Sequence, residues 1–140
     1  MKIVKIICLL SIALLSTISY GFSQTGADRI IGLYWSPKKD AKIEMYKRGA
    51  QYYGKTVWAK TPGKDLNNPD KKLAGRNLVG TDILSGFTYE DEVYKDGQVY
   101  DPNNGKTYSC KISFAGNDMK VRGYIGVSLF GRTEIFQRIK

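Results

Sequence analysis

The sequence predicts an all-β protein, a single antiparallel barrel of about eight strands, and three observations predict it. Between residues 106 and 114 the side chains alternate with period two. Tyr108, Cys110, Ile112 and Phe114 share one face, and Thr107, Ser109, Lys111 and Ser113 the other. That is a strand with one dry and one wet face. Short runs of this kind recur along the chain between Gly, Asn, Asp and Pro turns, the spacing of a sandwich or barrel. Alternation also persists to the last residues. An open sheet would leave its end strands as unpaired edges, so closure is favoured.

Residues 1–23 stand apart. Lys2 and Lys5 give a basic start, residues 6–15 are largely apolar, and Gly21-Phe22-Ser23 ends the segment. This reads as a secretory leader cut after Ser23, placing the protein in the periplasm or outside the cell. A membrane anchor is the weaker alternative, because the apolar run falls short of the ~20 residues that cross a bilayer. Residues 24–140 are then one domain, long enough for a single core. Losing Lys2 and Lys5 takes the formal charge from +9 to +7. The basic residues are spread along wet strand faces, which points to a solvated surface or to anionic envelope polymers, not to nucleic acid.

Along the domain, residues 24–30 read as a mobile lead-in. Ile31, Leu33 and Trp35 alternate with Gly32 and Tyr34 in a first strand that Ser36-Pro37 ends. Residues 41–47 form a second, with Ile43 and Met45 opposite Glu44 and Tyr46, and residues 51–60 an aromatic third, bent at Gly54. Residues 61–77 break the pattern and read as a long connection, with one helical turn at 69–74 capped by Asn68. Strand character returns over 78–87. The Asp96-Gly97 pair then marks a hairpin turn between 89–94 and 98–101. After the 106–114 and 119–126 strands, Val127, Ser128, Leu129 and Phe130 form an apolar tip, and 132–139 is the last strand.

The absences are as informative. There is no histidine, which removes Ser-His-Asp and Cys-His machinery, imidazole acid–base work and His-based zinc sites. Beyond the leader Cys110 stands alone, so no intramolecular disulfide or thiolate metal cluster forms, and its dry-face position makes it a core filler. No catalytic residue, metal or cofactor is predicted. The oxygen-rich Asp101, Asn103 and Asn104 lack EF-hand spacing and read as an Asx-stabilised hairpin corner.

Several stretches together resemble the DUF2147 family of exported bacterial proteins: Asn68-Pro69-Asp70 with Leu73 and Arg76, Gly80 before an apolar strand, DPNNGKTY at 101–108, RGYIG at 122–126 and LFGRTEIFQR at 129–138. The resemblance covers nearly all of the mature chain. It implies a lipocalin-like barrel in the periplasm with a small-ligand cavity and no established chemistry. The start Gly32-Leu33-Tyr34-Trp35 is similar to the lipocalin Gly-x-Trp with one residue too many, and by that resemblance Trp35 would plug the barrel floor.

On these grounds the expected function is binding of a small apolar or amphiphilic ligand inside the barrel. The alternative is a non-enzymatic module with a filled barrel, whose basic outer surface meets envelope lipid or protein. Cavity or rim candidates are Trp58, Asp82, Tyr108, Phe114, Arg122, Tyr124, Leu129, Phe130 and Arg132. Asp82 lies in an apolar strand and, facing inward, would pair with Arg76, Arg122 or Arg132. Arg138 is expected over Trp35 to close the barrel by a cation–π contact. Val127, Leu129 and Phe130 are expected to fold over the mouth as a lid or rim.

Overall fold

A computed structural model describes residues 26–140. The predicted leader lies outside the described residues. Eight strands form one antiparallel sheet in simple sequence order: β1 (Gly32–Trp35), β2 (Ala41–Arg48), β3 (Gln51–Ala59), β4 (Asp82–Glu90), β5 (Val93–Asp101), β6 (Lys106–Ala115), β7 (Asp118–Tyr124) and β8 (Arg132–Phe136). The sheet closes on itself beyond β8. Tyr34 bridges Arg138, Trp35 N–H donates to the Gln137 carbonyl at 2.8 Å, and Ile139 N–H donates to the Leu33 carbonyl at 2.8 Å. This up-and-down path puts four connections at one end of the barrel and three at the other.

Alternation in β6 holds as predicted: Cys110 and Ile112 are fully buried, with Tyr108 and Phe114 partly buried at either end of the same face. In β2, Ile43 and Met45 point inward and Lys42, Glu44 and Tyr46 outward. In β1 the faces are reversed from expectation. Tyr34 is fully buried, while Leu33 and Trp35 stand on the outer wall. A one-residue offset in a strand exchanges its two faces, and the tyrosine ring fills the interior that the tryptophan was expected to occupy.

Residues 26–30, expected to be mobile, instead form a 3-10 turn (Gly26–Ile30) across one end. Three buried tyrosines need acceptors for their hydroxyls, and this turn supplies them. Tyr34 donates to the Ile30 carbonyl at 2.9 Å, Tyr94 to that of Ala27 at 2.5 Å, and Tyr52 to Asp28 Oδ1 at 2.6 Å. Arg29 lies 4.3 Å above the Phe114 ring and donates to the Gly116 carbonyl. The turn is the floor of the barrel.

Two departures concern turns. Asp96-Gly97 is not a hairpin corner; it lies within β5 at a register shift between Tyr94 and Gly97. The corner is Asp91-Glu92, with φ of 52° and 64°, the double positive φ that a two-residue hairpin loop requires. Gly97 serves the interior instead, since the Phe87 ring occupies the space a Cβ would take. The strand expected over 78–87 begins only at Asp82, because residues 78–81 complete the long connection. At the DPNNG corner the Asx bonds form as predicted, Asp101 Oδ1 accepting from Asn103 N–H and Asn104 Oδ1 from Lys106 N–H, both at 2.9 Å.

Because the Phe87 ring fills the space over Gly97, a methyl group there must overpack the core. Gly97→Ala is expected to lower stability by about 1–3 kcal/mol, read as a shift of the urea midpoint. An unchanged midpoint would mean that Phe87 does not occupy that space.

Candidate functional site

The interior of the barrel is occupied by its own side chains. Tyr34, Tyr52, Phe87 and Tyr94, with Ile43, Met45, Leu84, Ile112 and Met119, are all at most 2% exposed. Tyr52 meets Tyr94 edge-on at 5.4 Å, and Tyr94 meets Phe114 at 6.2 Å. Where the inner wall carries glycine, a large neighbour crosses it: Met45 and Leu84 over Gly54, and Phe87 over Gly97. Burial raises the Cys110 thiol to about 12, so it is an inert filler as predicted.

The predicted cavity residues do not converge. Trp58 stands on the outer wall, 41% exposed, because a bulge between β2 and β3 sets it opposite Lys42. It meets Trp35 edge-on at 6.0 Å, with Lys42 Nζ 4.9 Å from the Trp35 ring. Asp82 also faces outward, opposite Lys55 across a second bulge. Its partners are Tyr46, which donates to Oδ1 at 2.7 Å, and Arg48, which donates to Oδ2 at 3.2 Å, and not Arg76, Arg122 or Arg132. Burial and then the hydrogen bond to Asp82 raise the Tyr46 hydroxyl to about 12. Phe114 belongs to the floor. Arg132 pairs with Glu134 at 2.7 Å. Tyr108 alone reaches the inner rim, its hydroxyl accepting from Asn104 Nδ2 at 2.9 Å. Arg138 closes the barrel over Tyr34, 4.8 Å from the ring centre, and not over Trp35.

Opposite the floor, the connections after β1, β3, β5 and β7 crowd one end, and two clefts open on the outer wall, one close to that end and one running from mid-wall toward the floor. One, of about 200 Å³, lies beneath the long connection and is lined by Arg76, Asp82, Ser85, Gln98, Tyr100 and Thr107 among others. Its roof is held by Asp65, a fully buried carboxylate that the sequence does not single out. Tyr100 donates to it at 2.5 Å, Asn68 at 2.8 Å and Arg76 at 3.0 Å. Burial alone would raise its pKa; these three donors outweigh it and hold the carboxyl below its ordinary value. Gly105 is required here, since the Asn67 carbonyl lies where a Cβ would stand. The predicted helical turn exists as two bonds, from Leu73 N–H and Ala74 N–H to the Asp70 carbonyl, with Asn68 Oδ1 accepting from Asp70 N–H.

The other cleft, of about 340 Å³, lies across β5–β8 and is lined by Val93, Lys111, Ser113, Lys120, Arg122 and Thr133. Arg122 and Tyr124 are outer-wall residues, since Met119 and Val121 hold the inner face of β7. The guanidinium of Arg122 ties the β7–β8 connection to this wall. It donates to the Ser128 carbonyl at 2.6 Å, the Leu129 carbonyl at 3.2 Å and Thr133 Oγ1 at 2.8 Å. The expected lid is therefore not closed. Val127, Leu129 and Phe130 are 57%, 78% and 79% exposed.

A sequential eight-stranded barrel, floored by a 3-10 turn and latched by an arginine from beyond its last strand, is a lipocalin-like fold. It is similar to a solved structure described as protein HP1028 from the human pathogen Helicobacter pylori, which belongs to the lipocalin family. The TM-score is 0.72 and the identity 23%, over 79% of this chain and 83% of that one. Residues 32–138 match the family of uncharacterized proteins conserved in bacteria designated DUF2147, and the chain belongs to that family. No curated protein matches the sequence.

Asp65 gives the cleft roof a pH dependence. Its folded pKa lies below its unfolded value, so its stabilisation is full above the unfolded carboxylate value of about 3.9 and is lost as pH falls through the folded one. Asp65→Asn is expected to cost about 2–3 kcal/mol at neutral pH, by breaking a buried charged cluster. In urea unfolding, its gap to the wild type should narrow below about pH 4. A gap that is constant from neutral to acid pH would sink this assignment.

Proposed function

We propose that the protein is an exported, non-catalytic binding module that engages its partner with the outside of its loop-bearing end, the barrel serving as a rigid, filled scaffold. The observation that carries this reading is the packed interior. A ligand within the barrel needs a pocket of about 300 Å³ or more. In this barrel that volume is taken by Phe87, Met45, Leu84 and hydrogen-bonded tyrosines, and vacating it would strand hydroxyls that now have partners. Two clefts lie on the outside, one of them under the long connection, and the most exposed apolar side chains, Leu66, Ile125, Leu129 and Phe130, stand on the connections of that end. The leader read at residues 1–23 supports export, and the absence of histidine from the sequence supports binding over acid–base catalysis.

Titration with a fluorescent polyunsaturated fatty acid tests this reading. The expected result is no saturable uptake at micromolar protein. A one-to-one complex that is lost in Leu84→Trp would restore the ligand to the barrel and overturn the outer-surface reading.

A further inference from the structure

We propose that the β7–β8 connection is a membrane-insertion tip, which places Ile125, Val127, Leu129 and Phe130 in the outer layer of an anionic bilayer while Lys111 and Lys120 meet lipid phosphates. The proposal rests on the outer-surface reading above and names its partner.

Four large apolar side chains within six residues stand 57% to 79% exposed, an arrangement costly in water unless something covers it. Their backbone is already prepared for a medium without water, where an unsatisfied carbonyl is expensive. Arg122 satisfies the Ser128 and Leu129 carbonyls, Phe130 N–H donates to the Val127 carbonyl at 3.2 Å, and Gly131 N–H donates to that of Ser128 at 3.2 Å. Arg122 is thus spent on shaping the tip. These bonds brace the connection, which lowers the ordering entropy lost on insertion.

The charges beside the tip fit a phosphate surface. Among the described residues lining the adjoining cleft are three cations and no carboxylate. Lys111 reaches the tip itself, its Nζ 3.3 Å from Ser128 Oγ, so the cationic cleft and the apolar tip are one continuous surface. Basic side chains flanking inserted apolar ones are the pattern of interfacial membrane binding. A second copy is disfavoured, because it would bring two basic faces together. The tip is also far smaller than the roughly 20–30 residues a side of a stable protein interface.

The test is co-sedimentation of the mature chain with vesicles of phosphatidylcholine alone or mixed equally with phosphatidylglycerol, at about 0.1 M salt. Binding to the anionic vesicles is expected to be about tenfold or more tighter than to the neutral ones, and to weaken as salt is raised. Leu129→Ser with Phe130→Ser should weaken it about tenfold or more with no change in melting temperature, since both side chains are exposed. Lys120→Glu should weaken anionic binding alone. Phe130→Trp gives a reading independent of affinity: its emission should shift to the blue on anionic vesicles and be quenched by brominated acyl chains. Absence of vesicle binding, equal binding by the double serine variant, or a wild-type dimer that this variant dissolves would each overturn the lipid assignment. The fatty-acid titration keeps the two ideas apart. One-to-one uptake into the barrel defeats the outer-surface reading whatever the vesicles do, while a protein that takes up neither lipid form defeats only the insertion tip.

Discussion

Closure of the barrel depends on one guanidinium. Arg138 lies just past β8, and its side chain reaches the Tyr34 hydroxyl and the backbone carbonyls of Arg29, Ile31 and Asn117. Its own N–H donates to Asp118 Oδ1 at 3.0 Å. Floor turn, first strand, β6–β7 turn and C-terminal segment therefore meet on one planar group. The carbonyls it satisfies are among those that a barrel leaves unpaired at its rim. Arginine suits this place because its donors are fixed in a fan, whereas a lysine would offer one point charge. Gly32 is part of the same arrangement, since a Cβ there would fall 2.7 Å from Nη1. Burial raises the Tyr34 hydroxyl to about 12 against the opposing charge of Arg138. It thus keeps its proton and donates it to the Ile30 carbonyl.

With one end latched and floored, the narrow interior has to be filled, and it is filled by large side chains lying over small positions. Phe87 over Gly97 and Met45 over Gly54 are paired choices, each glycine making room for the side chain opposite. An eight-stranded barrel has room for such side chains or for one small ligand, and this chain has taken the first course. In the proposed reading, recognition then falls to the outer wall and to the connections at the unlatched end, where the most exposed apolar residues are found.

The outer wall is uneven in its charge. Around β2–β4, cations and carboxylates answer one another, as in Arg48 with Asp82 and Tyr46, and the aromatic rings there lie under lysine and arginine heads. Around β6–β8, Lys111, Lys120 and Arg122 gather in one cleft whose lining has no carboxylate among the described residues. The first face satisfies itself. The second keeps two lysines toward solvent beside an apolar tip, and that contrast makes it the more informative surface.

How much of this was legible in the chain follows from the range of each interaction. Period-two alternation depends only on neighbouring residues, so the all-β class, the strands around Cys110 and Met45 and the Asx corner at 101–105 could be read directly. The family resemblance was equally local. Interactions between distant segments could not be read. Asp96-Gly97 looks like a turn until Phe87 arrives over the glycine, and Trp35 looks like the floor plug until Arg138 is seen to stack on Tyr34. Bulges turned Asp82 and Trp58 outward, and a bulge is set by the partner strand as much as by its own residues. Asp65 gave no local sign, because its importance comes from Tyr100, 35 residues away. The sequence by itself thus determined that the chain is a barrel and where most of its strands run. Only the tertiary structure decided which faces turn inward and whether the barrel is full, because packing across a closed sheet joins residues whose order along the chain carries no record of their meeting.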